Sequence, residues 1–159
     1  MNIKLNKPIC FFDLETTGAK VGKDRIVEIA ILRVDIDKTE SQKVWKINPE
    51  MEISFQATQV HGITNEMIQN EPNFAYYANE IYQFIKGCDL SGFNAIKFDI
   101  PMLVEEFIRA NVDFDFTQTR MIDTQVIYHK KEPRNLSAAL KYYCNKDLEN
   151  AKKVVGIIM

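Results

Sequence analysis

Hydrophobic positions in the first third of the chain fall in continuous or alternating blocks; further along they recur every three to four residues. Residues 8–15 (Pro8-Ile9-Cys10-Phe11-Phe12-Asp13-Leu14-Glu15) form an apolar run that ends in two acids, the pattern of a buried strand. Residues 25–36 are β-branched and mostly apolar, which predicts a second strand. Over 42–48, Val44 and Lys46 alternate with Trp45 and Ile47, a third strand with one wetter face. The short connections favour an antiparallel meander.

The period then changes. Thr64 is placed to cap a short helix over 65–70, with Glu66 in its first turn. Phe74, Tyr77, Ile81, Phe84 and Ile85 fall on one helical face that ends near Gly87. Residues 89–94 read as a short strand. Residues 98–110 read as a helix with Leu103, Val104, Phe107 and Ile108 inward, and Pro101 is tolerated there because it lies in the first turn. Residues 119–123 read as a last strand, after which Asp123 is a helix cap or a structural acid. Asn135 caps a helix over 136–143. Three strands followed by alternating helices and strands predict an α/β fold with a mixed, partly parallel sheet.

Composition narrows the function classes. The 159 residues suit one domain with a real core. A net charge of −2 gives no global basic footprint, so any nucleic-acid contact is local or bridged by metal. The three cysteines, Cys10, Cys88 and Cys144, form no CxxC pair and sit in apolar contexts, which predicts buried reduced thiols and a cytoplasmic protein. No stretch approaches the roughly 20 apolar residues of a membrane span, so no membrane partner is expected. The first seven residues are too short and polar for a secretory signal.

The chemistry is concentrated in acids. On a strand Asp13 and Glu15 point to one face. Two carboxylates about 4 Å apart repel by roughly 4 kcal/mol at an effective dielectric near 20, and a buried site tolerates this only with a proton or cation between them. Thr16, Thr17 and Gly18 follow, suited to a sharp turn and a close approach of backbone to ligand. The reading is a divalent-metal site at the end of a core strand. A second acidic signal is Asn94-Ala95-Ile96-Lys97-Phe98-Asp99, in which a strand delivers Asn94 and a turn leads into the helix bearing Asp99. Taken alone, Asp99 also suits a first-turn acid favoured by the helix dipole. Lys130 and Lys131 with Arg134 read as a solvated surface or a track for phosphates.

Taken together, Phe12-Asp13-Leu14-Glu15-Thr16-Thr17-Gly18, Val60-His61-Gly62-Ile63-Thr64 and Asn94-x-x-x-Phe98-Asp99 resemble the motifs of the DEDD superfamily of 3′–5′ exonucleases, across residues 8–149. The likeness is to its histidine-bearing branch, which includes the proofreading epsilon subunits of bacterial DNA polymerase III and their free-standing relatives. The resemblance implies a ribonuclease H-like fold, a mixed five-stranded sheet flanked by helices. It implies Mg²⁺ or Mn²⁺ as cofactor, in a two-metal site with ions about 3.5–4 Å apart. Asp13 would bridge both metals, Glu15 would help hold the ion that carries the attacking water, and Asp99 would act on the second ion, mostly through water. Thr16, Thr17, His61, Asn94 and Phe98 would contact the substrate. His61 also suits a loop-ordering hydrogen-bonder, and Phe98 a core residue. The implied partners are a single-stranded DNA 3′ end or nucleotide, and a DNA polymerase subunit. A non-catalytic module that binds DNA ends or a polymerase is the alternative.

One expected motif is missing. The family's third motif places a histidine, and five residues on an aspartate, at the start of the last helix; the histidine is the general base. Here the lead-in Leu136-x-x-Ala139-Leu140-x-x-Tyr143-Cys144 and Asp147-Leu148-Glu149-Asn150-Ala151 is followed by Lys152-Lys153-Val154-Val155-Gly156-Ile157-Ile158-Met159. The two histidines are His61 and His129, both too early, and Asp147 precedes the expected ligand position. The expectation is a single domain over 1–159, truncated at its C-terminus relative to the family by a truncation or frameshift after Ala151, without the complete last helix. Loss of a general base costs typically 10²- to 10⁴-fold, so turnover is expected to be impaired. An exposed apolar surface there would favour self-association.

Overall fold

In the computed structural model, which describes residues 4–131, the apolar runs pair edge to edge as strands. β1 (Ile9–Thr16), β2 (Ile26–Val34) and β3 (Glu40–Lys46) form the antiparallel meander. α1 (Phe55–His61), α2 (Asn65–Ile68) and α3 (Phe74–Ile85) follow, then β4 (Asp89–Gly92), α4 (Asp99–Arg109), β5 (Met121–Asp123) and α5 (Thr124–Lys131). The sheet has five strands in the order β3-β2-β1-β4-β5, with β1–β4 and β4–β5 parallel. This is the mixed five-stranded α/β architecture that the strand and helix pattern predicts. The sheet lies within a compact unit that ends at Thr124, and a second unit begins at Gln125.

The core explains why these elements hold together. Phe12, Leu14, Ile29, Ile31 and Leu90 of the sheet pack with Phe74, Ile81 and Ile85 of α3 and with Leu103 and Phe107 of α4. Phe107 is fully buried and meets Phe74 edge-on, with ring centroids 5.4 Å apart. A second cluster of Val27, Ile53, Ile63 and Ile68 ties α2 to β2. On β3, Trp45 is buried and Val44 and Lys46 are exposed, the wetter face expected.

Several expectations are corrected. The helix predicted over 98–110 keeps Leu103 and Phe107 inward, but Ile108 is 59% exposed and the buried stripe runs through Ile100, Met102 and Glu106. α1 has no counterpart in the sequence pattern, because it buries no residue and so carries no apolar stripe; Ser54 caps it and Gly62, at φ 75°, ends it. Thr64 stands at the start of α2 but makes no capping bond to a helix amide; its hydroxyl instead pairs with Glu66, which lowers that carboxyl. The strand expected over 89–94 stops at Gly92, where a Cβ would lie 2.9 Å from both the Phe12 carbonyl oxygen and the Ala95 Cβ.

Cys10 and Cys88 are buried and free, as expected. Their thiols hydrogen-bond to each other, which pushes Cys10 up and Cys88 down. Lys130 and Lys131 are exposed on α5. Among the described residues no helix is long and apolar enough to cross a membrane. Arg134, the expected Asn135-capped helix over 136–143, Cys144, Asp147 and the tail 152–159 lie outside the described residues.

Candidate acidic site

β1 brings Asp13 and Glu15 to its C-terminal end, and α4 brings Asp99 to the same place. Asp99 opens α4, where the positive end of the helix dipole faces its carboxylate. That carboxylate accepts hydrogen bonds from its own amide and from the amide of Leu14, the residue between Asp13 and Glu15. The sequence-predicted trio therefore converges. The burial is distributed differently from the expectation: Asp13 is exposed, Glu15 is half-buried, and Asp99 is the buried member at 6% exposure.

Electrostatics follow that placement. Burial, then the Asp13 charge, push the Asp99 carboxyl up to about 6, against the two backbone bonds that lower it. Burial also raises Glu15; the His61 imidazole lowers it, and the charges of Asp13 and Glu28 raise it. Within the trio the largest shift thus falls on Asp99, and burial is its first cause. Glu28 is an acid that sequence reading missed. It lies directly opposite Glu15 in the β1–β2 register, a like-charge pair that is unfavourable without compensation. Its signal lay in the register, which a single strand does not reveal.

The loop after β1 is held mainly by its own side chains. The Thr16 hydroxyl donates to the Gly18 carbonyl at 2.7 Å. The Thr17 hydroxyl donates to Asp24 Oδ1 at 3.0 Å and accepts from the Arg25 amide at 3.0 Å. Gly18 is needed for space, since a Cβ there would lie 2.7 Å from the Asp24 carboxylate; the close approach is to this chain's own acid. His61 Nδ1 accepts from the Ile63 amide at 3.0 Å, so its Nε2 carries the proton and donates to the Thr16 carbonyl at 3.1 Å. His61 orders this loop. The loop is further tied to α4, where Arg25 Nε meets Glu106 Oε1 at 2.7 Å and Arg109 Nη2 donates to the Gly22 carbonyl at 2.7 Å.

In the loop between β4 and α4, Asn94 adopts a left-handed conformation at φ 60° and its carbonyl accepts from the amides of Lys97 and Phe98. Phe98 is half-buried and packs against the core. Asp123 is a structural acid: its carboxylate accepts from the amides of Asn94 at 3.0 Å and Ile96 at 3.3 Å. A separate cavity of about 250 Å³, lined by Arg25, Glu50, Asn73, Glu106 and Arg109 among others, contains none of the trio.

The donor set fits a divalent cation in its chemistry, because it offers hard oxygen ligands, and the two carboxyls raised by burial and by the Asp13 charge are relieved by positive charge. It does not form a closed cage: among the described residues no group of three or more His, Cys, Asp and Glu side chains is arranged to hold a metal ion.

Comparison with known proteins accords with this geometry. The RNase_T exonuclease family matches residues 10–150. The DNA polymerase III subunit epsilon of Rickettsia prowazekii is 36% identical over 125 residues, which cover 76% of this chain and 54% of that protein. The 3′-5′ exonuclease DinG of Staphylococcus epidermidis is 30% identical over 128 residues, 80% of this chain and 14% of that protein. The crystal structure of E. coli exonuclease I in complex with a dT13 oligonucleotide superposes with a TM-score of 0.70 at 21% identity, over 81% of this chain and 30% of that one; it has the same fold. The chain spans about half the length of the epsilon subunits it matches, between 44% and 54% for two of them.

Proposed function

We propose, on the premise that this chain belongs to the RNase_T exonuclease family, that it is a metal-dependent 3′–5′ exonuclease acting on DNA 3′ ends. The observation that carries the proposal is Asp99, held to the Leu14 amide and pushed up to about 6 by burial and by Asp13. A fold that keeps three acids together at that cost suits a cationic ligand. Asp13, Glu15 and Asp99 would hold the ion, and hard donors of this kind suit Mg²⁺ or Mn²⁺. When bound, the ion supplies Lewis acidity and activates water.

The chain's own residues orient the substrate around that point. The hydroxyls of Thr16 and Thr17 are used within the loop, and the Thr16 carbonyl, the Thr17 amide and the Thr17 carbonyl are also bonded, so these two residues would serve a terminal nucleotide by shaping the loop beside it. Asn94 and Phe98 would contact the substrate from the loop that leads into α4, and His61, bonded to the Thr16 carbonyl, would steady the loop after β1. Both His61 nitrogens are engaged, so the proton-accepting role of the family's third-motif histidine is not available from it. His61 and His129 have Glu66 and Arg134 five residues on, so neither forms that motif. The exonuclease-like domain would extend over residues 1–159, which the family match over 10–150 supports, in a protein of the cytoplasm. A single-stranded DNA 3′ end and a DNA polymerase subunit are the proposed partners, the second supported by the likeness to an epsilon subunit.

The second reading, favoured by the engaged His61, is a non-catalytic module that binds DNA ends or a polymerase. A 5′-labelled single-stranded oligonucleotide with Mn²⁺ separates the two over long incubation. Stepwise shortening from the 3′ end that disappears in Asp13→Ala supports the enzyme. Retention of the oligonucleotide at full length, with binding, supports the module.

A further inference from the structure

We propose that Asp123 is a positioning residue for the acidic site, fixing from β5 the loop that delivers Asp99 to β1. The inference rests on the reading of Asp13, Glu15 and Asp99 as cation ligands and deepens it. Asp123 is the last residue of β5 and is 6% exposed. One carboxylate oxygen takes the Asn94 amide at 3.0 Å and the other takes the Ile96 amide at 3.3 Å. The next residue, Thr124, donates its hydroxyl to the Gly92 carbonyl at 2.9 Å. Two adjacent residues at the β5–α5 junction therefore hold the end of β4 and the loop after it at three points.

The loop needs this grip. α4 starts at Phe98 with no side-chain cap, so the usual device for fixing a helix start is absent. Asn94 is held in a left-handed conformation, which a non-glycine residue adopts at some cost. Ala95 is fully buried and its carbonyl receives the Ile100 amide, so the loop geometry passes directly into the first turn of α4. Two amide donors at one buried point require two acceptors and no donor. Among short side chains only an aspartate supplies that; an asparagine would turn an N–H against one of the amides. Partners that orient metal ligands typically carry 10- to 100-fold in metal affinity.

The test is Mn²⁺ affinity of the full chain, read from the EPR signal of free Mn²⁺, in the wild type, Asp123→Asn and Asp89→Asn. Asp89 is a comparably buried acid at the other end of β4, bonded to Arg120. Asp123→Asn is expected to weaken Mn²⁺ binding about 10-fold or more. Asp89→Asn is expected to lower Tm while leaving Mn²⁺ affinity unchanged. Equal Mn²⁺ affinity in the wild type and Asp123→Asn overturns the positioning role. If Asp123→Asn does not fold, hydrogen exchange on the wild type decides. Linkage is reciprocal, so Mn²⁺ must slow exchange at the Asn94 and Ile96 amides; bound Mn²⁺ with unchanged exchange there overturns the proposal. A wild type that binds no Mn²⁺, or an Asp13→Ala that binds it equally, instead overturns the reading of the acidic site, and this inference with it.

Discussion

Asp99→Asn is the perturbation that isolates the electrostatic cost of the candidate site. The asparagine keeps the shape, and its carbonyl oxygen still accepts from the Leu14 amide that Asp99 uses. The buried charge is removed, together with one of the two backbone bonds that the carboxylate accepts. Folding raises this carboxyl from 3.8 to about 6, roughly two units. At 1.36 kcal/mol per unit that is about 3 kcal/mol, and screening by water near the exposed Asp13 brings a working figure to about 2 kcal/mol. Because the folded value is the higher one, the contribution of Asp99 to stability is complete below about pH 3.8 and is lost as pH rises through about 6. The metal-free variant should therefore match the wild type near pH 4 and exceed it above pH 7. At roughly 2–4 °C per kcal/mol the gain in Tm is about 4–8 °C. Thermal unfolding by circular dichroism in EDTA, at both ends of that range, reads it. A variant less stable than the wild type at high pH, or a difference of the same size at both, would refute the reasoning.

Other consequences are as direct. Glu28→Gln removes a like charge directly opposite Glu15 and should stabilise the metal-free protein by about 0.2–1 kcal/mol, with the Glu15 carboxyl titrating lower by carbon-13 NMR. Burial pushes Asp89 up, but the Arg120 side-chain and backbone hydrogen bonds more than offset this, so its carboxyl lies below the usual value. That stability is present above about pH 3.8 and lost on acidification, so Arg120→Met should lower urea stability at neutral pH and match the wild type near pH 2. Phe107→Ala empties the centre of the aromatic cluster and should cost about 3–5 kcal/mol by denaturant titration; a loss below about 1 kcal/mol would mean that the core is not packed as described.

What was legible in the chain depended on range. The three meander strands and α3 follow from local period, and the Asp13-x-Glu15 and Asn94-x-x-x-Phe98-Asp99 spacings place the acids correctly at strand and helix ends. α1 was not legible, because a helix that buries nothing leaves no stripe, and the inward assignment of Ile108 failed because the buried face of α4 includes a charged residue, Glu106, that pattern reading treats as solvated. Glu28 and Asp123 act on the site through pairings 13 and 29 residues away, from Glu15 and Asn94 respectively. Such partners are set by register and by the parallel β4–β5 pairing, neither of which a local window contains. The same holds for the shift of the electrostatic weight from Asp13 and Glu15 to Asp99, which depends on which acid the helix start buries.

The central claim is that Asp13, Glu15 and Asp99 converge on a divalent cation. A crystal of the protein soaked in Mn²⁺ with a nucleoside monophosphate tests it most directly. An anomalous peak is expected, bound by carboxylate oxygens of Asp13 and Asp99 beside the β1 end, with the phosphate against it. No peak at that point under millimolar Mn²⁺, with the three carboxylates unmoved, would contradict it.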